Sequence, residues 1–403
     1  MIVIKHNDME VKAMGANMNM ISVTMQEFLG MVKESLLDED YTTPIICLGK
    51  SGIGKTEAIK GLCDEMGIGC MELRLVTLNE VDLLGVPTIE EQANGKKTTV
   101  WASMDDLPIA ERDGERGILV LDEITSCTRT IRAAAFQLLD AKRALGNYKL
   151  PEKWLVVALG NGPEDGGVFE GIEYAFLNRC LGVRVEPDLD SWKIWAVNAG
   201  VHPTVLGFVS WQPQYLHQLN LDAEYEEKSP SPRTWTKLSI KLTNAEQRRG
   251  GILDDRTVEI YAAAAIGESV ASMFASFYAY KERTVSVEEI MEGKALDAVY
   301  DMDTQVMYMQ IQTVVAGISA ELKNNMSGGD WPEKSYHRIA NACRWMIEVG
   351  NVRLDVATSI FNELNLTTKL FAVMIMDEKF DDVCPELLQF ASKHSLVFDK
   401  AKA

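Results

Sequence analysis

Over the first 186 positions the apolar residues fall in short strand-like runs. They are Pro44-Ile45-Ile46-Cys47-Leu48, Cys70 to Val76, Ile118 to Leu121, Trp154 to Leu159 and Leu181 to Val185. A strand covered on both faces reads as a continuous apolar run, so Ile118 to Leu121 and Trp154 to Leu159 predict buried parallel strands, and the other runs read as further strands. Helical spacing lies between them: Met25, Phe28, Leu29, Val32 and Leu36, a segment opening near Lys55, Ile131 to Ala144, and Tyr174 to Arg179. Residues 77–110 read as irregular, broken by Gly85, Pro87, Asn94-Gly95 and Pro108. After Pro187 strand-like runs become scarce and helical spacing continues to the end, with polar breaks at Asp222 to Pro232 and Asn324 to Pro332. The pattern predicts an α/β core with a parallel sheet, then helices.

Composition narrows the function classes. The 403 residues are 47% hydrophobic and 25% charged, which excludes disorder over most of the chain. With 40 Lys and Arg against 59 Asp and Glu, the net charge is −19. Such a surface repels phosphate backbones and anionic membranes, so a nucleic-acid partner is disfavoured. The uncharged run Thr304 to Ala320 holds three Gln, and Ala262 to Tyr280 is interrupted by Glu268; both read as buried core helices. No signal peptide is read at the N-terminus, and a cytoplasmic protein without a membrane span is expected. The seven cysteines show no CxxC pair or zinc spacing and read as scattered buried thiols in a reducing compartment.

The first candidate chemistry is Gly49-Lys50-Ser51-Gly52-Ile53-Gly54-Lys55-Thr56, a G-x-x-x-x-G-K-T phosphate loop between a strand and a helix. Gly49, Ser51, Gly52, Ile53 and Gly54 supply a backbone that can turn its N–H groups around an anion. Lys55 adds a cation for β- and γ-phosphates, and Thr56 a hydroxyl for Mg²⁺. The second is Asp122-Glu123, carried to the carboxyl edge of the sheet by Ile118 to Leu121. Asp122 can hold Mg²⁺ through water, and Glu123 can orient and deprotonate an attacking water. The third is Asn161, at the end of the Trp154 to Leu159 run. By itself an Asn-Gly pair is also a turn signal.

In that order, the phosphate loop, acidic strand end and strand-end Asn resemble the AAA+ ATPases. Further motifs resemble the MoxR type, within the group carrying an insert in the second helix. Asp82 to Pro87 through Thr98 to Trp101 looks like that insert, and Leu145 to Pro151 like the hairpin before the sensor strand. Asn161-Gly162-Pro163-Glu164-Asp165 resembles the sensor stretch, Phe176-Leu177-Asn178-Arg179 the arginine-finger helix, and Ser231-Pro232-Arg233-Thr234-Trp235 the sensor 2 helix start. The resemblance covers roughly residues 20 to 240. It implies ATP and Mg²⁺ as cofactors, with Lys55, Thr56, Asp122 and Glu123 as above and Asn161 as sensor 1. It makes Arg179 a finger reaching a neighbouring subunit's γ-phosphate, and Arg233 a contact to nucleotide in the same subunit. Arg129 and Arg132 are weaker interface candidates. Where the family usually has Phe after the finger, this chain has Cys180.

The resemblance implies a P-loop AAA+ core at 20–186 and a helical lid at 187–285; weak periodicity marks an N-terminal segment at 1–19, and helical spacing beyond the resemblance marks a C-terminal helical region at 286–403. It also implies a homo-oligomer, a hexamer by analogy, working as a remodelling chaperone on a protein client or with a von Willebrand factor A domain partner. The competing readings are a nucleic-acid-stimulated AAA+ motor and a nucleotide-gated scaffold with little turnover. Trp192 and Trp195 are expected in the lid core, Met302, Met307 and Met309 in core packing, and Asp222 to Glu227 in a solvated loop. His202, His217, His337 and His394 have no carboxylate or Cys partners at useful spacing, and receive no role.

Overall fold

The structure is a computed structural model. It describes residues 20–79, 81–82, 86–91, 97–102, 106–162, 172, 174–218, 228–326, 331–368, 370, 373 and 379–393. The 1–19 segment, Leu83 to Gly85 of the insert, Pro163 to Asp165, the Asp222 to Glu227 run and His394 lie outside the described residues. The chain divides into two compact units, Met1–Asp188 and Leu189–Ala403.

The first unit runs β1 (Ile21–Val23), α1 (Met25–Leu37), β2 (Ile45–Gly49), α2 (Lys55–Met66), β3 (Gly69–Arg74), β4 (Val86–Glu91), β5 (Lys97–Ala102) and α3 (Ala110–Asp113). It continues with β6 (Arg116–Asp122), α4 (Arg129–Leu139), β7 (Ala144–Leu145), β8 (Tyr148–Lys149), β9 (Lys153–Gly160), α5 (Tyr174–Leu177) and β10 (Leu181–Val185). Six strands form one sheet in the order β1-β10-β2-β9-β6-β3. Every pair in it is parallel. β4 with β5, and β7 with β8, are separate antiparallel hairpins.

The continuous apolar runs have a direct cause. Ile46 and Leu48 of β2, Leu119 and Leu121 of β6, and Trp154, Val156 and Ala158 of β9 pack on one face, with Ile131, Ala135 and Leu138 of α4. The alternate residues, Ile45 and Cys47, Ile118 and Val120, Leu155, Val157 and Leu159, pack on the other. There they meet Phe28, Val32 and Leu36 of α1 and Ile59 and Leu62 of α2. Both faces are covered, as a parallel sheet with crossover helices requires. Two elements differ from the sequence pattern. β1 is a three-residue edge strand, too short to leave a periodic signal. The irregular 77–110 stretch contains the β4–β5 hairpin, whose Pro87 is tolerated because the ladder has only two strands.

The second unit is helical. It contains α6 (Leu189–Asn198), α7 (Pro203–Trp211), α8 (Pro232–Arg249), α9 (Asp255–Ile266), α10 (Glu268–Ala279), α11 (Val287–Met291) and α12 (Thr304–Met326). Then come α13 (Glu333–Val352), α14 (Leu354–Asn362), a π turn at Glu363–Thr367, α15 (Lys379–Val383) and α16 (Pro385–Lys393). The apolar stretch 262–280 is two helices, broken at Gly267 with φ +90°. One core joins Trp192 of α6, Phe208 of α7, Trp235 of α8, Phe274 of α10, Val314 of α12, Trp345 of α13 and Phe390 of α16. Phe208 centres an aromatic group with Trp235, Phe274 and Phe277 at 5.4–5.5 Å between ring centroids. Gly207 lets α12 pass close by, since a Cβ there would lie 2.9 Å from the Met309 Cα. Met307 and Met309 are core residues. Trp195 departs from expectation: it is 40% exposed, because the apolar stripe of α6 turns Trp192 inward instead. No helix among the described residues is long and apolar enough to cross a membrane.

Candidate functional site

The sheet order sets the site. β9 pairs with both β2 and β6, so the carboxyl ends of these three strands lie side by side. The sequence places the phosphate loop after β2, Asp122-Glu123 at the end of β6, and Asn161 after β9. Crossovers thus bring together groups separated by 66 and 106 residues. This is the edge where open α/β sheets bind ligands.

In the loop, Gly52 and Gly54 adopt φ of +80° and +94°, backbone that favours glycine. Gly49 has another reason to lack a side chain: a Cβ would sit 2.4 Å from the Val185 carbonyl oxygen. Ile53 is buried in the α1–α2 core and anchors the loop, while Ser51 is exposed. The 12-residue helix α2 starts immediately after Gly54, directing its positive end at the loop.

Lys55 is 8% exposed. Its Nζ donates to the carbonyl oxygens of Gly49 at 2.6 Å and Lys50 at 3.0 Å, and to Asn161 Oδ1 at 3.2 Å. Thr56 Oγ1 donates to Asp122 Oδ2 at 2.9 Å. Asp122 Oδ1 in turn accepts the Glu123 N–H at 2.8 Å. Glu123 has φ +59°, the left-handed region, which is sparsely used by residues with a Cβ. Such strain persists where the surroundings enforce it. Here the Glu123 carbonyl accepts the Ser126 and Cys127 N–H groups, and Ile124 N–H donates to Leu159 of β9.

A hydroxyl and a carboxylate within one hydrogen bond make an all-oxygen donor pair, which suits a hard divalent cation such as Mg²⁺. A buried ammonium beside a left-handed glycine loop and a helix start suits phosphate. The residues present therefore fit a nucleotide phosphate with its metal.

Thr125 was not singled out by sequence. It is fully buried, and its Oγ1 accepts the Asn161 N–H at 2.9 Å. A Cβ on Gly160 would lie 2.7 Å from Thr125 Cγ2, so that glycine permits the contact. A polar residue two positions after Asp122-Glu123 was the available signal.

Arg179 follows α5 and lies over the Phe136 ring of α4, its Cζ 4.7 Å from the centroid. Its Nε is 3.7 Å from Asp140 Oδ1. Phe176, the buried member of the same motif, packs on Phe136 at 5.2 Å. Phe136 and Asp140 at the end of α4 were also missed, since only the fold brings them to Arg179. Cys180 packs against the sheet core, and burial pushes its thiol up to about 12, with Arg179 opposing. Arg129 is exposed at the start of α4. Arg132 is corrected: only 1% exposed, it donates to the Ile124 and Cys127 carbonyls at 3.4 and 3.5 Å, and so braces the turn after Glu123 rather than facing outward. Arg233 is exposed in the first turn of α8, on the second unit, behind a Ser231–Thr234 capping box.

His202 also needs correction. It is buried with Glu246, 44 residues away, its Nε2 3.1 Å from Glu246 Oε2. Lys281 and Tyr278 donate to the same carboxylate at 2.6 and 2.5 Å. The Thr204 N–H donates to His202 Nδ1, leaving Nε2 to carry the proton toward Glu246.

The fold and site define an α/β protein with a P-loop core followed by a helical region. No protein-family model matches the chain, and no curated protein matches it in sequence. It is similar to a closed-state cryo-EM reconstruction of Hsp104 with ATPγS and FITC casein, at 18% identity and a TM-score of 0.32, over 44% of this chain and 36% of that one. It is also similar to a crystal structure of a candidate ATPase from Cytophaga hutchinsonii ATCC 33406, at 11% identity and a TM-score of 0.30, over 86% of this chain and 83% of that one. The chain therefore spans little more than a third of the Hsp104 chain.

Proposed function

We propose that this chain is an ATPase of the AAA+ class, of MoxR type, working as an oligomeric ring. The observation that carries the reading is the convergence of Lys55, Thr56, Asp122 and Asn161 from three adjacent strand ends. In this reading the loop N–H groups and Lys55 bind the phosphates, and Thr56 and Asp122 hold Mg²⁺. Bound Mg²⁺ would neutralise charge on the β- and γ-phosphates. Glu123 orients a water and takes its proton as the water oxygen bonds to the γ-phosphorus. The bond from that phosphorus to the bridging oxygen breaks, and ADP leaves. Asn161 holds the γ-phosphate or the water. Arg179 of a neighbouring subunit stabilises the charge on the transferring group, and Arg233 contacts nucleotide in its own subunit.

The ring, of six subunits by family resemblance, and a remodelling role with a protein client or a von Willebrand factor A domain partner belong to the same proposal. Steady-state ATP hydrolysis by the full chain, with calorimetry on Lys55→Ala, tests it. Turnover that needs Mg²⁺, and nucleotide binding weakened by Lys55→Ala, are expected. Unchanged binding in the variant would refute the phosphate site. DNA- or RNA-stimulated hydrolysis would favour the nucleic-acid motor, against which the net charge of −19 stands. Tight binding with negligible turnover would favour the scaffold.

A further inference from the structure

Cys63 and Cys70 lie at a helix end that folds the chain back on itself. Helix α2 closes in a Schellman motif: Gly67 takes φ +63°, the Ile68 N–H returns to the Cys63 carbonyl at 3.1 Å, and the Gly67 N–H reaches Asp64 at 3.3 Å. Two residues beyond Ile68, Cys70 is the second residue of the edge strand β3, and its thiol lies beside that of Cys63. The two sulfurs differ in access. Cys63 is wholly buried in the α1–α2 core. Among the described residues, which include all seven cysteines, Cys70 alone is exposed.

We propose that Cys70 and Cys63 form a peroxide-oxidisable dithiol that closes to a disulfide, linking the last turn of the phosphate-loop helix to the edge strand. Cys70 is the attacking sulfur. The neighbouring Cys63 thiol and the Lys60 ammonium favour its thiolate over desolvation and over the acidic Asp64 and Glu72. Lys60 is held there by Glu72 at 2.8 Å. An exposed, thiolate-prone cysteine beside a resolving thiol is the arrangement that oxidises reversibly. The oxidant is a hydroperoxide. The Cys70 thiolate attacks one peroxide oxygen, the O–O bond breaks, and the leaving oxygen departs with a proton as water or alcohol. Cys70 is then a sulfenic acid, oxidised by two electrons. Cys63 loses its proton and attacks the Cys70 sulfur; the S–O bond breaks, water leaves, and the S–S bond forms.

A second pair in the same chain is the internal control. Cys343 of α13 and Cys384, just before α16, also lie side by side, but each is 1% exposed, and the Cys384 thiol donates to the Ala340 carbonyl. Contact without access should leave them reduced in the folded protein.

The test uses the reduced full chain with limiting hydrogen peroxide, followed by alkylation of free thiols and peptide mass mapping. A Cys63–Cys70 linked peptide should form first, about tenfold or more ahead of any oxidation of Cys180, Cys343 or Cys384. Dithiothreitol should reverse it. Cys70→Ser, at an exposed position, should leave Cys63 unoxidised. Cys63→Ser should trap a dimedone-reactive sulfenic acid on Cys70. Oxidation of Cys70 no faster than Cys180, over-oxidation of Cys70 with Cys63 still free, or unaltered oxidation of Cys63 in Cys70→Ser would each overturn the proposal.

Discussion

Replacing Glu123 by glycine separates two properties that the structure places in one residue. Its backbone is left-handed, at φ +59°. That conformation costs a residue with a Cβ about 1–2 kcal/mol, a cost glycine does not carry. Glycine returns about 0.5–1 kcal/mol of this, because its unfolded chain is freer. The carbonyl bonds to Ser126 and Cys127 survive the substitution. Glu123→Gly should therefore lie between neutral and about 1.5 kcal/mol more stable, whereas Glu123→Gln keeps both Cβ and strain and should stay near wild type. Hydrolysis should fall in both variants by about 10²–10⁴, the usual worth of a general base. Hydrogen exchange of the β6 and β9 amides in the full chain reads the first quantity, and steady-state phosphate release the second. A glycine variant that is clearly destabilised would refute the strain argument. Near-wild-type turnover in either variant would remove Glu123 from the role of base.

Thr125→Val keeps the shape against Gly160 but leaves the Asn161 N–H without its 2.9 Å acceptor, at a cost of about 1–3 kcal/mol; that amide should exchange roughly 5–150-fold faster, and unchanged exchange would show that the bond contributes nothing. Acid should weaken the second unit. Burial holds His202 below its usual range, so the unfolded chain takes up that proton first as pH falls below 6.5. Burial alone would raise Glu246, but hydrogen bonds from His202, Lys281 and Tyr278 hold it at about 2, so its contribution is present above pH 4.5 and fades toward pH 2. The calorimetric midpoint should fall from pH 7 to 4, with a smaller drop between 6.5 and 5 in His202→Asn; identical curves would remove His202 from the effect. Mixing Arg179→Ala with Glu123→Gln should restore some hydrolysis if the finger acts between subunits, once subunit exchange has been shown. A mixture as inactive as either parent would leave exposed Arg129 as the next candidate.

The candidate phosphate site was legible because each of its parts is local. Gly49 to Thr56 is contiguous, and the runs that carry Asp122 and Asn161 are continuous apolar strands whose ends are visible without knowing what they pair with. What joins them is not local. That Lys55 meets Asn161, and Thr56 meets Asp122, follows from β9 lying between β2 and β6, an order no single run encodes. Thr125 escaped notice for the same reason: a threonine after two acids gains meaning only when Gly160 is pressed against it. The β4–β5 hairpin was hidden differently. Its six-residue strands carry Pro87 and several charges, so neither alternation nor a continuous run appears.

In the helical unit the sequence speaks through spacing alone, and spacing registers apolar faces. It says nothing of polar side chains that the faces enclose. Lys193 of α6 is 4% exposed and forms an ion pair with Glu363, 1% exposed, at the start of the π turn. Glu363 also accepts Gln312 Nε2 from α12 at 2.8 Å and Thr367 Oγ1 at 3.1 Å. Desolvation draws the Lys193 ammonium down to about 8, with Asp190 opposing. Removing two charges from water costs several kcal/mol per ion, and attraction returns it only when the remaining hydrogen bonds are also made. Here α6, α12 and the π turn each bring a group to one carboxylate, so the cost is met only when all three are seated together. An apolar cluster tolerates a helix that slides by a fraction of a turn; this one does not, because any such slip leaves a buried charge without its partner. The pair therefore fixes the register of three helical segments that hydrophobic spacing leaves interchangeable.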